Sequence, residues 1–125
     1  MLNITNTTRQ SPVSKDSDFV AISDKVLGKK YDLSLVFVGE TTAKKLNQQY
    51  RNKSYVPNVL SFPLADNAGE IFICLKTIKK ECREFEMSPH QYEKFLLIHG
   101  CLHLKGHDHG DHMEKLEKKF TNLFC

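Results

Sequence analysis

The sequence predicts a single α+β domain in which strands and helices form packed layers. Three observations carry this expectation. Short apolar, β-branched runs are interspersed with stretches of helical period, without a strict strand–helix–strand repeat. The 125 residues amount to one ordinary domain and suffice for a real core. A composition of 40% hydrophobic and 26% charged residues is that of a globular protein.

Leu2 to Ile4 fits a short strand inside an otherwise polar start. A helix follows from about Asp18 to Leu27 and stops at Gly28. Leu33 to Val38, LSLVFV, is the strongest strand signal in the chain. Thr41 to Tyr50 reads as a helix, with Ala43, Leu46 and Tyr50 spaced for one buried stripe. Val56 to Leu64 is extended, and Pro57 and Pro63 suit a sheet edge. Glu70 to Cys74 is a further strand.

Leu75 to Phe85 reads as an amphipathic helix. Leu75, Ile78, Cys82 and Phe85 form its apolar face, and Lys76, Lys79, Lys80 and Arg83 its basic one. Ser88-Pro89-His90-Gln91 is a capping box with proline at the first helical position. It opens a helix to about Lys105. From Tyr92 to Leu104 that helix is apolar nearly all round, apart from Glu93, Lys94 and two histidines, so it belongs in the centre of the fold. Asp111 to Phe124 forms the last helix, with Met113, Leu116, Phe120 and Leu123 as its packing stripe.

The net charge of +3 permits a polyanionic partner without demanding one, because a solvated lysine-rich surface gives the same balance. Cys74, Cys82, Cys101 and Cys125 show no CxxC spacing and read as reduced thiols rather than a disulfide set. No charged-then-apolar N-terminal signal is present, and the longest apolar runs are too short to span a bilayer. The expectation is a cytoplasmic protein with no membrane contact.

The chemistry concentrates in IHGCLHLKGHDHG. His99 and His103 are four apart, which on a helix sets both imidazoles on one face, one turn apart. His109 would lie about 9 Å further along if the helix continued. Gly106 suits the left-handed conformation that ends helices, so the chain can turn and bring His109 back toward the pair. Three neutral imidazoles with a fourth position left open make the ligand set of a catalytic zinc site. A lone histidine in a buried helix is ordinarily a packing residue. Two at this spacing on an apolar face each need a polar partner, and one metal satisfies both.

The spacing H-xxx-H-xx-G-xx-H is also that of the metzincin proteases, in which a glutamate general base follows the first histidine. Here that residue is Gly100, so peptide hydrolysis ranks below other metal-assisted hydrolysis. His107 could serve as a substitute ligand or an outer group but reads first as solvent-facing, and His90 and His112 read as surface residues. Cys101 lies about 200° round the helix from His99 and reads as a core thiol. Asp108 fits equally an outer partner for a ligand imidazole and a turn or cap residue.

HGCLHLKGHDH, residues 99–109, resembles the signature of the YbeY endoribonuclease family, the rRNA maturation factors, which reads H-G-x-L-H-L-x-G-Y-D-H. LNQQYRNKSYVPNVLSFPL, from Leu46 to Leu64, is similar to that family's L-N-x-x-Y-R … V-L-S-F-P stretch. AGEIFIC at 68–74 is similar to its G-D-I-x-I-C strand, and MEKLEKKF at 113–120 to its C-terminal helix. The resemblance runs from about Leu33 to the end, and the first thirty residues carry no matching motif. The chain departs from the pattern at His107, where tyrosine is usual, at Pro57, where threonine is frequent, and at Glu70, where aspartate is usual.

The resemblance implies a single zincin-like α+β domain, a mixed β-sheet packed with helices, with a metal site at a cleft. It carries the family's metal ligands onto His99, His103 and His109, with one zinc ion per chain, and its functional arginine onto Arg51. The activity implied is metal-dependent, single-strand-specific endoribonucleolytic cleavage in rRNA processing, notably 16S 3′-end maturation, and in ribosome quality control. The implied partners are single-stranded RNA and the small ribosomal subunit with its assembly factors.

Zinc acidifies a bound water or polarises a phosphoryl oxygen, and either use suits a phosphodiester. The planar fork of Arg51 suits two non-bridging oxygens, although without the resemblance it reads as a surface ion pair. Lys76, Lys79, Lys80 and Arg83 suit a groove that tracks a single strand through its phosphates, and equally a solvated helix face. No residue stands out as a general base, so attack by water and attack by the RNA's own 2′-OH both stay open. The competing functions are a metal hydrolase of a small phosphoester or peptide, and a non-enzymatic ribosome-assembly factor.

Overall fold

A computed structural model describes residues 1–107 and 110–124. Strands β1 (Leu2–Asn6), β2 (Asp32–Val38), β3 (Val59–Ala65) and β4 (Ala68–Cys74) form one sheet in the order β1-β2-β4-β3. β1 and β4 flank β2 in parallel, while β3 runs antiparallel to β4, so the sheet is mixed as expected. β2 is the centre of this arrangement because both of its faces are apolar. Leu33, Leu35 and Phe37 point into the main core, and Val36 and Val38 pack with Ala43 and Cys74 on the other side. β3 occupies an edge, where Pro63 need not donate to a ladder.

Helices α1 (Asp16–Val26), α2 (Glu40–Arg51), α3 (Leu75–Glu81), α4 (Pro89–Leu104) and α5 (Asp111–Phe124) surround the sheet. α4 is the central one. Tyr92, Leu96, Leu97, Ile98, Cys101 and Leu102 are buried against Phe19 and Ile22 of α1 and against Ile71 and Ile73 of β4. Its start is the expected capping box: Ser88 Oγ accepts from the Gln91 backbone N–H at 3.1 Å, and Gln91 Oε1 accepts from that of Ser88 at 3.0 Å. The two charged residues on this buried helix are both satisfied. Glu93 accepts backbone N–H bonds from Val13 and Ser14, each 2.8 Å, and Lys94 Nζ donates to the Phe124 carbonyl at 3.0 Å. α4 ends as expected: Gly106 has a φ of 99°, and the His107 N–H reaches back to the Leu102 carbonyl at 3.1 Å.

Gly100 marks the closest approach of α4 to the sheet. A Cβ there would lie 3.0 Å from both Ile71 Cδ1 and Ser61 Oγ, and Ser61 Oγ donates to the Gly100 carbonyl at 3.1 Å. The residue after His99 is therefore small because β3 and β4 leave its side chain no room.

Three sequence expectations are corrected. In α2 the buried stripe takes Ala43 and Asn47, while Tyr50 is 61% exposed. Asn47 is tolerated inside because its Nδ2 donates to the Tyr55 carbonyl at 3.0 Å. α3 ends at Glu81 rather than Phe85, and the chain leaves it through a turn in which Glu86 takes a φ of 54°. On α5, Met113 and Phe120 are buried, but Leu123 is left 58% exposed beyond the edge of the core. Among the described residues no helix is long and apolar enough to cross a membrane. Cys74, Cys82 and Cys101 are free and buried, as the thiol expectation holds; Cys125 lies outside the described residues.

Candidate functional site

A cleft of about 640 Å³ opens between the β3 edge and the α4–α5 pair. Arg51 from the end of α2, Asn58 and Ser61 at β3, Phe95, His99 and His103 from α4, and Glu117 from α5 all line it. The structure thus brings Arg51 to the histidine pair across 48 residues of sequence, on the strength of a helix stop. α2 terminates where Asn52 adopts a left-handed conformation, with a φ of 55°, so Arg51 sits in its last turn and faces solvent at the cleft.

The two imidazoles meet as the i, i+4 spacing predicts. Their Nε2 atoms are 3.1 Å apart, and their rings are 4.6 Å apart at 79°. Two nitrogens bound tetrahedrally to one zinc, each at about 2.0–2.1 Å, would be roughly 3.3 Å apart, so the pair fits a shared ion. His109 lies outside the described residues, as does Asp108. Among the described residues no three His, Cys, Asp or Glu side chains converge as a metal cage.

Glu117 is not among the candidate site residues read from the sequence. Its Oε2 lies 3.3 Å from His99 Nδ1, and the two side chains are only 12% and 19% exposed. The available signal was positional: Glu117 falls one turn after Met113, on the flank of the apolar stripe of α5, where a solvated carboxylate is out of place.

Part of the cleft lining is aromatic. Phe85 stacks on Tyr92 with centroids 5.3 Å apart, and lies 6.3 Å from Phe95, which in turn lies 6.4 Å from His99. Expected on the apolar face of a helix, Phe85 instead stands half-exposed at the cleft rim, because α3 stops before reaching it. Beneath it, the Tyr92 hydroxyl accepts from Asn58 Nδ2 at 3.3 Å and is pushed up to about 12 by burial. Burial likewise raises the Glu81 carboxyl above the usual carboxylate range.

Lys76, Lys79, Lys80 and Arg83 do not join this cleft. Lys76 and Lys80 each pair with Glu40 of α2 at 3.2 Å, and their hydrogen bonds hold that carboxyl below its ordinary range. Arg83 sits past the end of α3, in the turn that leads to Phe85. His112 is exposed, as expected, with its ring 5.2 Å from that of a half-buried His107. His90 is half-exposed and faces Asp18 at 3.7 Å. Cys101 is fully buried away from the cleft, and desolvation drives its thiol far above the ordinary value.

The sequence profile of the Endoribonuclease YbeY family matches residues 3–123. That match reaches into the first thirty residues, where no motif was visible. Endoribonuclease YbeY of Mesoplasma florum is 35% identical over 75% of this chain, which spans 62% of that protein. Endoribonuclease YbeY of Neisseria meningitidis serogroup B is 34% identical over 98% of this chain and 82% of its own length. The solution structure of a Thermotoga maritima protein is similar at a TM-score of 0.70 and 27% identity, covering 99% of this chain and 89% of that one.

Proposed function

The chain belongs to the endoribonuclease YbeY family, and on that premise we propose that it is a metal-dependent endoribonuclease of single-stranded RNA. Its cellular role in this proposal is cytoplasmic rRNA processing, at 16S 3′-end maturation and in ribosome quality control, on the small ribosomal subunit and its assembly factors. The observation that carries the proposal is the shared cleft of Arg51 with His99 and His103.

His99, His103 and His109 are assigned to hold one zinc ion per chain in a zincin-like site. The fit rests on the 3.1 Å separation of the first two Nε2 atoms and on an all-imidazole donor set. When bound, zinc supplies a Lewis acid and an acidified water to the cleft. Arg51 grips two non-bridging oxygens of the scissile phosphate and stabilises the charge that gathers there in the transition state. The exposed ring of Phe85, backed by Tyr92, offers a face for stacking an unpaired base, which suits a single strand and not a duplex. Lys76, Lys79, Lys80 and Arg83 serve in this proposal as a flanking phosphate track, weakened by the hold of Glu40 on two of them. Peptide hydrolysis is disfavoured because β3 and β4 leave no room beside His99 for a glutamate base.

The test is to incubate zinc-loaded wild type and its His103→Ala variant with single-stranded RNA, a peptide pool and assembling small subunits. Cleavage of RNA by the wild type above the variant is the expected result. Equal RNA cleavage with selective peptide hydrolysis, or with an effect only on assembly, would replace the nuclease. A 2′,3′-cyclic phosphate on the product would assign attack to the 2′-OH, and a 5′-phosphate would assign it to water.

A further inference from the structure

We infer that Glu117 is a positioning residue, fixing the tautomer and direction of His99 so that its Nε2 lone pair faces the metal. The inference rests on the metal site proposed above and extends it to a helix that supplies none of the three imidazoles.

The geometry is specific to one ring nitrogen. Glu117 Oε2 lies 3.3 Å from Nδ1 of His99, while Nε2 of the same ring is the atom turned toward His103. A carboxylate only accepts hydrogen bonds, so its place beside Nδ1 favours the His99 tautomer with the proton there. In the neutral imidazole Nε2 is then the unprotonated nitrogen, the form a metal needs. A carboxylate left only 12% exposed also requires a compensating partner, and the imidazole provides one. Holding the ring from behind fixes its orientation and makes its other nitrogen a better donor. Glu114, one turn earlier, is exposed, so burial singles out Glu117 between the two.

The contact has a second consequence. α5 follows the segment that carries His109, and through Glu117 it returns to α4. The helix that closes the chain is thereby coupled to the first ligand.

The test measures zinc affinity by chelator competition for wild type, His103→Ala, Glu117→Gln and Glu117→Ala. The tautomer of His99 is read in the metal-free proteins by long-range proton–nitrogen NMR of the imidazole. Glu117→Ala should weaken zinc binding by about 10–100-fold, the usual effect of losing such a partner. Glu117→Gln, which keeps an acceptor without the charge, should lose less. His99 should be protonated at Nδ1 in the wild type and mixed between tautomers in Glu117→Ala. A purely structural role would lower thermal stability without changing the tautomer. Wild-type affinity and an unchanged tautomer in Glu117→Ala would overturn the inference. If wild type binds zinc no better than His103→Ala, the metal site itself fails and the inference falls with it.

Discussion

Replacing Glu93 with alanine should lower the folding stability by about 3–4 kcal/mol. The carboxylate is 2% exposed, yet it sits on the most apolar helix of the molecule. Its two oxygens accept from the Val13 and Ser14 backbone N–H groups, both at 2.8 Å. Hydrogen bonds to a charged group are worth about 1.5–3 kcal/mol each, so two give about 3–6 kcal/mol, felt most where the donor is left buried without a partner. Ser14 is 5% exposed and would be stranded, whereas Val13 is 63% exposed and its N–H can turn to water. That asymmetry sets the total in the lower half of the range rather than at its top. In urea, with a slope of about 1–3 kcal/mol per molar, the unfolding midpoint should fall by roughly 1–4 M at unchanged slope. Glu93→Gln, which keeps one acceptor, should fall between the two. A midpoint for Glu93→Ala indistinguishable from wild type would refute the claim that this carboxylate ties the N-terminal segment to the helix bearing the histidines.

Other consequences concern the cleft and its charges. Phe85→Ala, made in the His103→Ala background, should weaken binding of a single-stranded oligonucleotide by about 1–3 kcal/mol, the value of one stacked base, as read by fluorescence anisotropy. Binding unchanged by this substitution would remove Phe85 from the RNA path. Arg51→Lys keeps the charge but loses the two-pronged grip, so RNA cleavage should fall while the melting temperature of this exposed position stays put. Equal rates would show that a point charge suffices. Desolvation raises the Glu81 carboxyl in the folded state, with the Glu84 charge adding to it. The native protein therefore holds that proton more tightly than the unfolded chain does. The contribution to stability is present below the ordinary carboxylate value and lost as pH rises through the raised folded value. Relative to wild type, Glu81→Gln should become progressively more stable as pH rises from the ordinary carboxylate value through the raised folded one, measured as the difference in urea midpoints. A pH-independent difference would contradict this.

Much of the fold was legible because its central elements carry strong periodic signals. The LSLVFV run became β2, the capping box at Ser88 opened α4, and the two prolines marked β3 as an edge. Legibility failed where a choice depended on a distant partner. Periodicity favoured Tyr50 for the buried stripe of α2, but Asn47 took the inside once the Tyr55 carbonyl gave its amide a partner. Phe85 continued the apolar pattern of α3 one turn too far, because the left-handed turn falls at Glu86 with no glycine to announce it. In the cleft, the His99 and His103 pairing follows from helical spacing alone. Arg51 entered through family resemblance, because nothing local to it points to a histidine 48 residues away. Glu117 was invisible for the same reason: its partner sits on another helix, 18 residues earlier. The basic face of α3 was read correctly as a face, but half of it is engaged by Glu40, some forty residues upstream.

The most direct test is the cleavage rate of a labelled single-stranded RNA by zinc-loaded wild type against His103→Ala prepared identically. A metal-dependent nuclease centred on the histidine pair predicts a loss larger than the roughly 10–100-fold expected for an outer partner such as Glu117. The same rate in both proteins would contradict it.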